Sequence, residues 1–153
     1  MELAIRKYRE TDHERVMHLH IEGLRQHNAS IGDPCMDKDM QNILTTYIDN
    51  DGDFLVGIHD SMIVCMGAYR KRDYLTAEVK RIRVDSAYQR RGYGQDILTA
   101  LEKSAKQKGF GRIILDTTTN QEPAILLFKK NGYREYTQKK FGDMNVVFFE
   151  KEI

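Results

Sequence analysis

Apolar residues recur along this chain with two different periods, and the switches between them mark out its elements. A short strand opens the chain, and Thr11-Asp12-His13-Glu14 follows in capping-box form. In that box the Thr11 oxygen accepts from the Glu14 amide while Glu14 reaches back to the Thr11 amide. Val16, Met17, Leu19, Ile21 and Leu24 then fall at helical spacing. Met36, Met40, Ile43, Leu44, Tyr47 and Ile48 share one side of a second 3.6-residue period, which Asp49-Asn50-Asp51-Gly52 ends. Phe54–Ile58 and Met62–Tyr69 are short apolar runs split by Asp60-Ser61, the pattern of an antiparallel hairpin. Thr76–Val84 reads as a third strand of that sheet. Gly92–Lys108 carries Ile97, Leu98, Leu101 and Ala105 on one helical face, with Gly109 placed to stop it. Arg112–Asp116 reads as a strand, and Pro123–Asn131 as a short helix with proline in its first turn and Gly132 beyond. The aromatic and β-branched tail, Asn145–Lys151, makes a final strand. An antiparallel meander followed by a strand–helix–strand crossover predicts a mixed α/β (α+β) sheet with helices on both faces.

Length and composition narrow this picture. The 153 residues hold one domain, 1–153, with no linker, repeat or low-complexity segment. A chain of this size buries roughly 70% of its unfolded surface, enough for a core without disulfides or structural metal. Lys and Arg total 24 against 23 Asp and Glu, so no global field holds a polyanion, and a general nucleic-acid binder is disfavoured. Cys35 and Cys65 form no CxxC motif, and His13, His18, His20, His27 and His59 form no HxxxH or HExxH, so no metal site is expected. The longest uncharged apolar stretch, Met62–Tyr69, is far short of the roughly 20 residues of a membrane span. The start, Met1-Glu2-Leu3-Ala4-Ile5-Arg6, has no apolar signal region, so a cytoplasmic, reducing location is the expectation.

Candidate chemistry concentrates where Thr76–Val84 runs into Gln89-Arg90-Arg91-Gly92-Tyr93-Gly94 at the head of an amphipathic helix. Glycines there let backbone N–H groups converge, and the helix dipole adds partial positive charge, which suits a phosphate or pyrophosphate. Arg90 and Arg91 strengthen the case through guanidinium–phosphate pairing. A P-loop needs GxxxxGK[ST] and a dinucleotide turn GxGxxG; neither is present. Taken alone, these residues fit equally an ordinary strand-to-helix turn with two solvated arginines. Along the strand, Glu78, Ile82 and Val84 share one parity while Val79, Arg81 and Arg83 share the other, so apolar residues switch faces. Either a β-bulge near Lys80-Arg81 or burial of both faces accounts for that switch.

Gln89–Gly94 also fits the (Q/R)xxGx(G/A) signature of the GNAT superfamily of acyl-CoA-dependent N-acetyltransferases, which the sequence resembles. Ala124-Ile125-Leu126-Leu127-Phe128-Lys129-Lys130-Asn131-Gly132-Tyr133 is similar to that family's second motif, AxxLYxKxGF. The resemblance is close from Ala77 to Glu135, and the element order extends it along the chain. It implies a mostly antiparallel sheet of six to seven strands flanked by about four helices, with acetyl-CoA as cosubstrate. Backbone amides of Gln89, Arg90, Arg91, Gly92, Tyr93 and Gly94, with Gln95 beside them, would hold the pyrophosphate. Ile82, Arg83 and Val84 would line the pantetheine, one of their amides polarising the thioester carbonyl. Asn120, favoured over the adjacent Gln121, would bond the cofactor from a strand end.

The implied activity is transfer of an acetyl group to a primary amine of a small molecule or peptide, by direct attack in a ternary complex. Glu78, eleven residues before Gln89, matches the position of a catalytic glutamate in some family members and is the candidate base; pairing with Lys80 or a neighbouring strand's arginine is its alternative role. The family's usual acid, the motif tyrosine, is here Phe128, which cannot donate a proton; Tyr88, Tyr93 and Tyr133 are the phenols nearby. That departure sustains a rival class, a CoA-binding sensor or partner module without turnover. Asp33, Asp37, Asp39, Asp49, Asp51 and Asp53 either steer a cationic acceptor or serve as helix caps and turns. Arg70-Lys71-Arg72 either meets the CoA 3′-phosphate or blunts a hairpin edge. A homodimer through the C-terminal strands is compatible with the resemblance; nucleic acid and membrane are not expected partners.

Overall fold

Seven strands form one sheet: β1 (Ala4–Lys7), β2 (Asp53–His59), β3 (Met62–Lys71), β4 (Thr76–Val84), β5 (Arg112–Thr118), β6 (Arg134–Phe141) and β7 (Met144–Glu152), in the order β1-β2-β3-β4-β5-β7-β6. The computed structural model describes residues 3–26 and 38–153. Every neighbouring pair is antiparallel except β4–β5, which is parallel and joined by the crossover helix α4 (Tyr93–Gln107). The helices α1 (His13–Gln26), α2 (Lys38–Gln41), α3 (Ile43–Thr46) and α5 (Glu122–Lys130) complete the fold. No helix among the described residues is long and apolar enough to cross a membrane.

Each face of the sheet has its own core. On one, α4 and α5 cover Tyr69, Ala77, Val79, Ile113, Leu115, Val147 and Phe149. Ile97, Leu98 and Leu101 of α4 are wholly buried there, each contributing about 2 kcal/mol. Gly67 of β3 lets that helix sit close: a Cβ there would stand 2.5 Å from Ile97 and 2.9 Å from Leu101. On the opposite face, α1, α2 and α3 cover Phe54, Val56, Ile63, Met66 and Ala68 of β2 and β3. The β5–β7–β6 end of that face stays open, with Tyr136 and Asp116 exposed.

Two local expectations need correction. Asp12, not Thr11, organises the first turn: its carboxylate accepts the Arg9 N–H at 2.8 Å and both Arg6 guanidinium nitrogens at 2.7 and 3.0 Å. A shorter carboxylate fixed by an arginine outcompetes the Thr11–Glu14 box. The second helix is broken at Asn42 (φ −137°, ψ 54°) into α2, α3 and a 3-10 turn at Ile48–Asn50. β-branched Thr45 and Thr46 and the turn-forming Asn42 weaken a continuous helix, while Met40, Ile43 and Tyr47 still reach the core. Met36 lies outside the described residues. β6, which the period along the chain leaves unmarked, is an exposed edge strand.

Candidate active site

β4 and β5 pair only from Thr76–Arg112 to Glu78–Ile114, then diverge. From Val79 onward the β5-facing edge of β4 has no strand beside it. The opening is a cleft of about 100 Å³ lined by β4 from Val79 to Arg83, by Leu115, Asp116 and Thr117 of β5, and by Gln121, Ala124, Leu127 and Phe128. The anticipated bulge is present. Met66 faces Arg83 and Ala68 faces Lys80, so Arg81 and Ile82 together oppose Gly67 alone. Arg81 takes a left-handed φ of 63°, which for a side-chain-bearing residue costs about 1–3 kcal/mol. A bidentate pair from the Arg81 guanidinium to Asp39 on α2, at 2.7 and 2.9 Å, holds it there. Burial alone would raise the Asp39 carboxyl, but Arg81 and the Tyr47 hydroxyl that donates to it hold its pKa at about 2.

Beyond β4 the chain turns sharply. Asp85 caps a 3-10 turn at Ser86–Tyr88 by accepting the Ala87 N–H at 2.9 Å, and Arg15 of α1 anchors the same carboxylate. Arg90 (φ 65°) and Gly92 (φ 83°) then reverse the backbone so that α4 begins at Tyr93. The first intrahelical bond runs from Asp96 N–H to Gly92 O at 3.0 Å. The amides of Tyr93, Gly94 and Gln95 precede it and have no carbonyl within their own helix. A Cβ at Gly92 would meet nothing within 4 Å, so the space over this helix terminus is open and ringed by donors. That is the environment a pyrophosphate requires.

Side chains of the expected cofactor residues divide sharply. Arg90 and Arg91 are exposed, Arg91 lying 5.0 Å over the Tyr88 ring. Tyr93 is buried and bonds His59 at 3.1 Å, so only its backbone faces the turn. Gln95 is spent on a reciprocal amide pair with Asn131 at 2.6 and 2.7 Å, tying α4 to the end of α5. Gln89 donates to the Val84 carbonyl at 3.2 Å. Ile82 and Arg83 line the cleft, whereas Val84 lines a separate hollow with Asp85, Ser86 and the α1 residues His18 and Leu19. Gln121 lies in the cleft lining, with Asn120 in the exposed turn before it, where it accepts from Thr118.

The open face of the sheet brings charged groups to the mouth of the cleft. Glu78 is buried, and Arg70 of β3 donates to its Oε1 at 2.8 Å while Arg72 stands 3.7 Å from the same oxygen. This is the arginine pairing named as its alternative role, and both contacts reach Oε1. Lys80, half-buried on the same strand, has its pKa lowered by burial and by the Arg70 and Arg81 charges. Asp116 opens at the mouth, yet desolvation by its surroundings and the Glu78 charge push its carboxyl up. Sequence reasoning missed Asp116, although one carboxylate ending the apolar run Ile113-Ile114-Leu115 was the signal.

Other expected roles resolve into structure. Asp53 accepts from Ser104 at 2.8 Å, Asp51 pairs with Lys71 at 3.6 Å, and Asp39 is held by Arg81, so these aspartates serve packing and turns. Asp33, Asp37, His27 and Cys35 lie outside the described residues. Arg70 and Arg72 are engaged at Glu78 instead of at an edge. Phe128 is packed against Tyr133 and Phe149 as well as lining the cleft. Tyr133 donates to Glu102 at 2.7 Å, and burial drives its pKa far above the ordinary phenol value. Among the described residues, no phenol lines the cleft.

Comparison with known proteins adds an independent line. The model of the Acetyltransferase (GNAT) family matches residues 13–133. The Xenopus tropicalis protein named "Probable N-acetyltransferase 14" is 34% identical over 98 residues, which are 63% of this chain and 48% of that protein. The chain therefore spans about half the length of that relative. A GNAT-family acetyltransferase structure from Staphylococcus aureus Mu50 superposes with a TM-score of 0.89 at 21% identity, covering 99% of both chains. An N-acetyltransferase of Thermoplasma acidophilum, solved in complex with coenzyme A, gives 0.83 at 20% identity over the full length of both.

Proposed function

Because the chain belongs to the acetyltransferase (GNAT) family, we propose that it moves an acetyl group from acetyl-CoA to a primary amine, the acceptor attacking directly in a ternary complex. The observation that carries this reading is continuity: the unpaired edge of β4 leads straight to the donor-ringed, open turn at Gly92. Acetyl-CoA, when bound, supplies an activated thioester acyl group. Backbone amides from Gln89 to Gln95 hold its pyrophosphate, with Arg90 and Arg91 adding charge from solvent. The β4 edge from Ile82 to Val84 aligns the pantetheine, with the Asn120–Gln121 turn on the opposite wall. The Arg81 bulge aims a β4 amide at the carbonyl, where a fixed donor stabilises developing negative charge. Glu78, steadied through Oε1 by two arginines, accepts the amine proton at Oε2 through a water molecule.

Calorimetry with CoA and a thiol-release assay with acetyl-CoA and pooled amines test this reading together. Micromolar CoA binding with amine-dependent thiol release is expected. Binding without release across the pool would favour a sensor module, the reading that Phe128 in place of a cleft phenol supports. Absence of CoA binding would overturn both. The buried free thiol of Cys65 fits a reducing, cytoplasmic setting. The exposed Phe141 and Met144 on the β6–β7 hairpin offer a surface for pairing two copies.

A further inference from the structure

Charges that face the cleft mouth fall into two groups. Arg81 is matched with Asp39, and Glu78 is matched with Arg70 and Arg72. Lys80 and Asp116 are different. Both line the cleft, and among the described residues neither side chain makes an ion pair or a side-chain hydrogen bond. Their strands have already parted at this level, since β4–β5 pairing ends at Glu78–Ile114. A cation on one wall thus faces an anion on the other across a gap. Burial disfavours the charged form of the half-buried Lys80, and Asp116, open at the mouth, has its carboxyl pushed up by its surroundings and by the Glu78 charge. A charge in that condition is relieved by a partner brought from outside.

Resting on the acetyl-transfer reading, we propose that the acceptor is a small zwitterion, an amine with a carboxylate a few atoms away as in a free amino acid. Its ammonium sits at Asp116 and its carboxylate at Lys80. This arrangement explains why the mouth is not simply acidic, as a site for a bare polyamine requires. The Glu78 carboxylate beside Lys80 is already engaged by Arg70 and Arg72, which leaves the lysine ammonium available to an incoming anionic group. Once Asp116 has drawn in the ammonium, Glu78 lies one strand away to take its proton. A lysine side chain within a protein carries no adjacent carboxylate and leaves Lys80 unmatched.

The test uses L-amino acids one by one, each beside its carboxamide and its decarboxylated amine, with thiol release from acetyl-CoA as the assay and calorimetry for CoA. The best amino acid should exceed its carboxamide about 100-fold in kcat/KM, because a site built for a polar group rejects the analogue lacking it. Lys80→Met should shrink that ratio to about threefold or less, and Lys80→Arg should restore most of it. Asp116→Asn should raise KM about tenfold for amino acid and carboxamide alike. Intact CoA binding with equal rates on acids, amides and simple amines would overturn the zwitterion while leaving acetyl transfer standing. So would a preference for the carboxylate that survives Lys80→Met. No CoA binding, or no thiol release with any amine, would remove the acetyl-transfer reading and this proposal with it.

Discussion

Between Val84 and Gln95 the protein offers a ligand mainly backbone: amides at a helix start, a left-handed glycine, and side chains that are solvated or already bonded elsewhere. Across the cleft, from Arg70 to Asp116, it offers side chains whose charges are partly matched and partly not. The first region depends on turn geometry and tolerates many residues at most positions. The second depends on which ion pairs close and which stay open, so single substitutions redefine it. The cofactor end is therefore generic to the fold, whereas the acceptor end is particular to this chain.

The strongest way to break that contrast is Arg91→Glu with Gly92→Asp. An anion beside the diphosphate turn should weaken CoA binding about 1000-fold, or about 4 kcal/mol, by calorimetry. Neither residue packs into the core, since Arg91 is exposed and a Cβ at Gly92 touches nothing. The double variant should remain folded. A loss under about tenfold would mean that the diphosphate lies elsewhere.

Asp39→Asn probes the link from the acceptor side to β4. Leaving the nearly buried Arg81 without its counter-charge should cost about 3 kcal/mol in urea unfolding at neutral pH. The sign with pH follows from the depressed carboxyl: stabilisation is fully present above its ordinary value of 3.8 and is lost as pH falls through about 2. The shift from 3.8 to about 2 corresponds to about 2 kcal/mol, so wild type and variant should converge in acid. Turnover should fall more than CoA affinity, because the bulge positions the reacting carbonyl and the helix terminus does not depend on it. Equal loss of both would show that Asp39 acts only through stability.

Glu78→Gln keeps the shape and the arginine contacts but removes the proton acceptor. A fall of about tenfold in kcat is expected, with CoA affinity unchanged, and steeper toward acid where more of the acceptor arrives protonated. An unaltered pH–rate profile would confine Glu78 to its structural role with Arg70 and Arg72.

How much of this was legible beforehand follows the same division. The strand Thr76–Val84 matches β4 residue for residue, and α4 and the Gly92 turn were readable, because glycines, parity and amphipathic spacing act locally. The parity switch along Glu78–Val84 even located the bulge, and its competitor, a strand buried on both faces, also holds over Thr76–Val79. The Asp39–Arg81 clamp joins residues 42 positions apart, and no local pattern reports such a pairing. Asp116 acquires its meaning from the parting of β4 and β5, which is a property of the assembled sheet. The exposed edge strand β6 lacks the apolar alternation that would have announced it.

The smallest expected effect separates the two glycines of the turn. Gly92 is held at φ 83° with empty space above it, so alanine there is strained by about 1–2 kcal/mol although nothing blocks its methyl. Gly94 lies within the first turn of α4, and a Cβ would find Leu127 at 3.6 Å and Val84 at 3.8 Å, ordinary contact distances. Gly94→Ala should therefore stabilise the fold by about 0.5–1 kcal/mol, through the unfolded chain's lost freedom and better helix propensity. It should change CoA affinity by no more than about twofold if the ligand contacts the amide and not the bare Cα. A tenfold or larger loss would move the point of closest approach from the Gly92 turn into the helix itself. The cradle would then require a missing side chain as well as donated hydrogen bonds, and its sequence tolerance would be narrower than the contrast with the acceptor side implies.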